Sequence, residues 1–298
     1  MTAEIVDLPA LRAYLVAHAV PGLDEVEVGA DGSSVHRRLV AVRSGSAATL
    51  TVTLPAGPVG SPATEVHGGP DAVAIGTAAA RRWLGLDLDP APGVAALGDD
   101  RVIGPLVGTR PHLRVPGSAD PFETAVLVVL GQHVSLAAGR RFAARLVDSV
   151  GCSGGGHDSH LSTRLGELRA FPEPEALAAL DAVELQRAVG VTGARARTVV
   201  ALARAVADGR LTLSATTEPA PTRATLLDLP GVGPWTADLI ALRCLRDPDV
   251  FLPGDLVLRK ALGGVPTAEA AQLARGWAPH RSLAVIHLWT HHALDPRR

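Results

Sequence analysis

Hydrophobic and polar positions follow two rhythms along this chain, and the switch falls near residue 118. Before it, stretches around residues 25–28, 35–43 and 48–54 are rich in β-branched residues and separated by Gly and Ser turns, which predicts three strands. A short helix over residues 9–20, with Leu11, Leu15 and Val16 on one side, precedes them, and residues 71–84 return to helical spacing. The Pro- and Gly-rich stretch 56–70 reads as a loop. Strands followed by a helix predict a small α/β domain with an antiparallel sheet over residues 1–90.

Residues 91–117 hold Pro92, Pro105, Pro111 and Pro116 and read as linker and turns that join the C-terminal helical lobe. From Asp120 onward the helical period dominates. Asp120 is placed to cap a helix whose first residue is Pro121, and FETAVLVVLGQ is apolar enough for a core helix. A loop is expected at 151–156 and a helix opening at Pro172 and Pro174. Further helices are expected at 181–190, 193–208, 223–228, 235–246, 255–262, 267–275 and 279–293. No comparable strand pattern follows residue 118, and no fixed-period repeat occurs. The expected fold is α+β: the sheet domain, then a mostly helical two-lobed core, with a central domain over 118–247 and a C-terminal lobe over 248–298.

Composition narrows the classes. Of 298 residues, 47% are hydrophobic and 19% charged, which suits a packed core of two or three units. The net charge of −2 does not advertise a polyanion binder, but its distribution is uneven. Residues 1–100 hold 12 acidic and 6 basic side chains, and residues 101–298 hold 18 and 22, so a DNA partner would face the second part. Uneven surface charge without a partner fits equally well. Cys152 and Cys244 are too few for an iron–sulfur cluster or a Cys-rich zinc site. No basic segment followed by an apolar run opens the chain, and no 18-residue apolar run occurs, so a cytoplasmic setting is expected.

The chemistry concentrates in TLLDLPGVGPWTADLIAL, residues 225–242. A helical turn ends in Leu-Pro-Gly-Val-Gly-Pro and a second helix starts at once. Gly231 and Gly233 permit a tight turn with close backbone approach. Pro234 suits a first helical turn, and the free N–H groups of that helix start form an anion site. A DNA phosphate is a natural occupant, gripped without regard to base sequence. Twenty residues after Trp235 comes VFLPGDLVLRK, with Asp255 before an apolar run. Locally, Asp255 reads as a helix N-cap.

LPGVGPWTA resembles the hairpin of the helix-hairpin-helix (HhH-GPD) DNA glycosylases, and Asp255 stands where that superfamily carries its essential carboxylate. Residues 121–146, PFETAVLVVLGQHVSLAAGRRFAARL, and residues 277–292, WAPHRSLAVIHLWTHH, resemble the wedge-loop region and final helix of its 3-methyladenine glycosylase II branch. The resemblance spans nearly the whole chain and implies a monofunctional glycosylase that flips out alkylated purines and hydrolyses their N-glycosidic bond in base-excision repair. The alternatives are a non-catalytic helix-hairpin-helix DNA-binding module, or a glycosylase for a deaminated or oxidised base. The implied partner is double-stranded DNA, and the implied state is a monomer.

The resemblance also distributes roles. Asp255 would stabilise the positive charge that develops on the sugar. Trp235, Trp289 and Tyr14 would line the base pocket with Gln132, although core packing explains a tryptophan in an apolar helix equally simply. Leu239 and Leu256 stand where the family has pocket tyrosines, and Gly254 where it has a second acidic residue. His133 occupies the wedge position, where the family has Leu; a plain surface histidine is the alternative. Gly231, Gly233 and Thr236 would hold phosphate, with Arg259, Lys260 and Arg281 as further contacts or as solvated charges. Lys260, the single lysine, lies away from the family's lyase position, which Trp235 occupies, so no AP-lyase activity is expected. No cofactor is expected beyond a structural Na or K ion on the backbone carbonyls of Leu227, Leu229 and Val232. His157 and His160 read as loop residues, and His287, His291 and His292 lack the further ligands a metal site needs.

Overall fold

The computed structural model describes residues 4–42, 46–150, 152–153 and 168–294. The first domain pairs β2 (Asp24–Val28), β3 (Ser34–Val42), β4 (Ser46–Leu54) and β6 (Ala63–His67) in one antiparallel sheet of order β2-β3-β4-β6. Strand β6 falls inside the stretch expected to be loop. It is an exposed edge strand held by pairing Ala63–His67 against Thr49–Thr53 of β4. Two further short strands, β1 (Val6–Asp7) and β5 (Val59–Gly60), pair with each other. Helix α2 (Pro70–Leu84) covers one sheet face, and Leu50, Val52 and Leu54 pack against Ala79, Ala80 and Leu84.

Helix α1 (Leu8–His18) starts where Asp7 accepts the Ala10 N–H at 2.9 Å, and it buries Leu8, Leu11 and Leu15 in the sheet domain. Asp7 also binds Arg110 through both oxygens, at 2.9 and 2.7 Å. That pair ties α1 to the chain leaving the domain and turns its Tyr14 side toward the helical lobes.

The segment expected to be linker and turns holds two short helices, α3 (Ala91–Leu97) and α4 (Gly104–Thr109). Pro92 and Pro105 sit in their first turns, where a missing N–H costs nothing, so these prolines start helices and do not break them. Leu97, Ile103 and Val107 are buried in one core with Leu252, Trp277 and Val285 of the C-terminal lobe.

The central lobe is built on α5 (Pro121–Leu130), α6 (Leu136–Val150), α7 (Pro174–Ala178), α8 (Ala182–Val189) and α9 (Gly193–Ala207). Asp120 caps α5 by accepting from Glu123 N at 3.0 Å. Val126, Val129 and Leu130 meet Leu146, Leu185 and Val199 in the core. A two-residue ladder pairs β7 (Cys152–Ser153) with β8 (Arg169–Ala170), a strand pair the sequence pattern did not announce. The hairpin helices α10 (Pro219–Leu227) and α11 (Pro234–Ile240) follow, and α11 runs into a π-helical turn over Ala241–Leu245. Helices α12 (Leu256–Ala261), α13 (Thr267–Leu273) and α14 (Arg281–Ala293) complete the C-terminal lobe.

Two buried ion pairs lock these units. Arg38 of β3 donates from Nη2 to both oxygens of Glu123 at 2.6 Å, with Asp24 at 3.7 Å and the Trp83 ring beneath. Arg246, just past the π turn, holds Asp87 through two bonds of 2.9 and 2.7 Å. Buried pairs of this kind add little net stability over apolar contacts, but breaking one strands a charge, so they fix orientation.

Candidate active site and hairpin

Between α10 and α11 the chain reverses in a few residues. Leu229 N–H donates to Leu226 O and Val232 N–H to Leu229 O, both at 3.1 Å, while the Leu229 and Val232 side chains are buried in the central core. Gly231 has φ +80°, and a Cβ there would lie 2.2 Å from Thr198 Oγ1. Only glycine fits this corner. Gly233 is extended and caps α11 without a side chain, and Ala237 is the first residue whose N–H finds Gly233 O, at 3.0 Å. The N–H groups before it at the helix start have no partner inside the helix, as at every helix N-terminus.

Helix α12 begins at Asp255, which caps it: Oδ1 accepts Leu258 N–H at 2.9 Å. The same carboxylate accepts two indole N–H groups. Trp289 of α14 reaches Oδ1 at 3.2 Å and Trp235 of α11 reaches Oδ2 at 3.1 Å. The two readings of Asp255, cap and site residue, thus coexist in one geometry. Three donors from three helices hold the group at the wall of a cavity of about 590 Å³.

Tyr14, Trp235, Leu239 and Trp289 line that cavity with Asp255, so α1 of the first domain supplies one wall and the two helical lobes the others. Gln132 and Leu256, expected in the pocket, do not line it. Leu256 points outward and is 59% exposed, because the cap at Asp255 turns the next side chain to solvent. Gln132 turns to the hairpin instead, where Nε2 donates to Gly231 O at 3.0 Å and to Thr236 Oγ1 at 2.8 Å. Its own carbonyl accepts from Arg195 Nη2. His133 next to it is exposed and has φ +54°, in the left-handed region where histidine is commoner than most residues.

The expected phosphate contacts divide. Gly231 is exposed at the hairpin corner, and Gly233 starts α11. Thr236 is 3% exposed, and its hydroxyl accepts from Gln132 Nε2, a contact that braces the hairpin from within. Arg281 is committed to Asp249 through two bonds of 2.7 Å, and Arg259 Nε donates to Val265 O at 2.9 Å. Lys260 is exposed.

Two side chains at the cavity escaped the sequence reading. The π turn carries Arg243 inward, where it donates to Pro116 O at 2.5 Å and stacks over the Tyr14 and Trp289 rings, 4.8 and 5.4 Å from their centroids. A lone charge inside the apolar run IALRCL was the available signal. His18, one turn after Tyr14, stacks on it at 4.3 Å and holds Tyr14 O through Nδ1 at 2.8 Å. His18 is solvent-exposed where it lines the cavity; the protein packed around it, and then the nearby Arg243, lower its pKa to about 4.

No cluster of three or more His, Cys, Asp or Glu residues suited to a metal occurs among the described residues. His287 is buried, His291 is exposed and His292 lines the cavity, so these three do not converge. His157 and His160 lie outside the described residues. No helix among the described residues is long and apolar enough to cross a membrane.

A glycine hairpin joined to a carboxylate-bearing cavity between helical lobes defines a hairpin-anchored class of helical proteins, and comparison assigns the family. The AlkA N-terminal domain matches residues 5–120 and the HhH-GPD superfamily base excision DNA repair protein matches residues 126–272; the chain belongs to this superfamily, with the AlkA-type first domain. It is 40% identical over 282 residues to a Mycobacterium tuberculosis protein described as "Probable bifunctional transcriptional activator/DNA repair enzyme AlkA", covering 93% of this chain and 53% of that one. The chain therefore spans about half the length of that relative. It is 35% identical over 187 residues to DNA-3-methyladenine glycosylase 2 of Escherichia coli, covering 63% of each. Among solved structures, the 3-methyladenine DNA-glycosylase of Archaeoglobus fulgidus superimposes with a TM-score of 0.75 at 19% identity, covering 96% of this chain and 94% of that one, and shows the fold.

Proposed function

We propose that this protein is a monofunctional DNA glycosylase that extrudes alkylated purines from duplex DNA and hydrolyses their N-glycosidic bond. The observation that carries the reading is Asp255, a carboxylate held at a cavity wall by two indole N–H groups and a helix N-terminus. The base would enter the cavity between Tyr14, Trp235 and Trp289. The bond from C1′ to the base breaks with its electron pair leaving on the base, and the sugar becomes oxocarbenium-like. Asp255 stabilises that charge. A water then adds to C1′ and passes its proton to the carboxylate, leaving an abasic site and the free base.

Two features support hydrolysis without strand cleavage. By its resemblance to the family, Trp235 occupies the hairpin position where a lyase would carry its amine, and Lys260 is exposed on α12 and does not line the cavity. The hairpin would grip a phosphate through the free N–H groups at the start of α11, and His133, at the exposed loop tip, would fill the gap left by the extruded base. Among the described residues, the Leu227 and Val232 carbonyls accept no backbone N–H, and Leu229 O takes only that of Val232. This donor set fits a monovalent cation, which would add positive charge beneath the phosphate.

The test uses duplex DNA with one defined lesion, followed by alkali. Wild-type protein yields a nicked product, while Asp255→Asn binds the duplex and yields none. Absence of product from wild type across alkylated and deaminated bases would overturn the reading in favour of a non-catalytic clamp. Borohydride trapping of a protein–DNA adduct would overturn the monofunctional assignment.

A further inference from the structure

We propose that Arg140 is a phosphate-binding residue at the rim of the cavity, holding a backbone phosphate that flanks the extruded nucleotide once that nucleotide has left the helix. The proposal rests on the glycosylase reading above and adds to it a contact that holds the extruded state.

Four arginines line the cavity, and three of them are engaged. Arg38 binds Glu123, Arg114 donates to Ile5 O and Leu88 O, and Arg243 donates to Pro116 O. Arg140 makes no hydrogen bond or ion pair among the described residues. Its Nε is sealed in protein without a partner, whereas its two terminal nitrogens are not among the atoms sealed in this way. The residue is half-buried, so its stem is set into the wall and its guanidinium end opens at the rim.

The fold places this free cation beside the loop that would fill the duplex gap. Arg140 lies in the second turn of α6, which begins just after His133. A Cβ at Gly139 would lie 3.3 Å from Gly131 Cα, so this part of α6 rests against the start of the same loop. Val134 and Leu136, which line the cavity with Arg140, have no side-chain acceptor to offer, and the first turn of α6 holds no acidic residue. Asp24 is close enough to feel the Arg140 charge, but it already faces Arg38 at 3.7 Å and accepts the Val20 N–H at 2.8 Å.

Rotating a nucleotide out of the duplex carries its flanking phosphates toward the mouth of the pocket that receives the base. A guanidinium fork matches a phosphate through two parallel N–H bonds. A half-buried cation without a partner is unfavourable, and a phosphate relieves that cost. The phosphate also offsets the Arg140 charge seen by a cationic base, in keeping with alkylated purines as substrate. In an undistorted duplex the phosphates stay with the helix, so the contact belongs to the extruded state.

The test measures binding across a range of salt to two duplexes, one undamaged and one carrying a single tetrahydrofuran residue, which has no base to lose. On the tetrahydrofuran duplex, Arg140→Gln should lose about tenfold in affinity, and its log–log salt slope should fall by about 0.9, the value for one phosphate contact. On the undamaged duplex neither quantity should change, and Arg140→Lys should keep the slope on both. Equal losses on the two duplexes, or no loss on either, overturn the proposal. A second arm alters the DNA, so it does not depend on how a variant folds. A methylphosphonate in place of the phosphate on the 5′ or the 3′ side should weaken wild type about tenfold at one of the two positions. Arg140→Gln should be unaffected there; losses that add at both positions overturn the contact. Where wild type still releases alkylated purines, these failures remove the role of Arg140 alone. A wild type that releases no base and binds both duplexes alike overturns the glycosylase reading with it.

Discussion

Trp289 Nε1 donates to Asp255 Oδ1 across 34 positions of sequence, and that oxygen is the one already capping α12. The indole therefore orients the carboxylate without being needed to hold it in place, because the cap does that. Trp289→Phe keeps a ring against Arg243 and removes only the N–H. The expected result is a fall in base release of about tenfold, the size of one hydrogen bond to a charged group. Thermal unfolding should shift little. An equal loss of stability and activity would mean that the indole acts through packing and not through the carboxylate.

Gln132 and His133 make a second paired prediction, because one is anchored and the other exposed in a left-handed backbone conformation. Gln132 ties the loop to the hairpin through Gly231 O and Thr236 Oγ1. Gln132→Ala should weaken duplex binding, measured by fluorescence anisotropy, while leaving the cavity intact. His133 sits at φ +54°, where a non-glycine residue costs about 1 kcal/mol. His133→Gly should hold or gain stability and lose lesion release, since the side chain that would fill the duplex gap is gone. A variant both stable and fully active would remove His133 from the flipping step.

Local signals made most of the site readable in the sequence. Asp120 and Asp255 are caps whose meaning lies within three residues, and LPGVGP specifies its own turn. What escaped depends on distant partners. Residues 63–67 become a strand only because β4 offers an edge, and Pro92 and Pro105 look like breakers until the helices they start are seen. That the Thr236 hydroxyl meets Gln132 depends on a partner 104 positions away. Arg243 is hidden for a similar reason: its inward direction comes from the π turn, and its neighbours Tyr14 and Pro116 belong to other parts of the chain.

The buried trio of Arg38, Glu123 and Asp24 should make stability depend on pH. One guanidinium faces two carboxylates, and burial outweighs its attraction, so the Glu123 pKa is pushed up to about 7 and that of Asp24 is also raised. The folded protein then holds a proton more tightly than the unfolded chain. This stabilisation is fully present below the ordinary carboxylate range and is lost as pH rises through about 7, up to about 3 kcal/mol in all for Glu123. Urea midpoints should decline from pH 5 to pH 8, and Glu123→Gln, which still accepts from Arg38, should flatten the decline. A wild-type curve flat over that range would show the trio ionised throughout.

Gly231 offers the sharpest test of the hairpin, because two separate penalties can be told apart there. At φ +80° any other residue is strained, and a Cβ would lie 2.2 Å from Thr198 Oγ1 but 3.4 Å from Thr198 Cβ. Gly231→Ala should therefore destabilise the protein by about 2 kcal/mol or more, combining left-handed strain with overpacking. Thr198→Ala deletes the clashing oxygen, whose only bond among the described residues is to Ala194 O within α9. The double variant should recover the steric part and retain the backbone part of about 1 kcal/mol. Duplex affinity should follow the same order, lowest in Gly231→Ala and partly restored in the double variant, since the free N–H groups of α11 are aimed by this corner. Additive losses in the double variant would mean that α9 does not set the position of the hairpin.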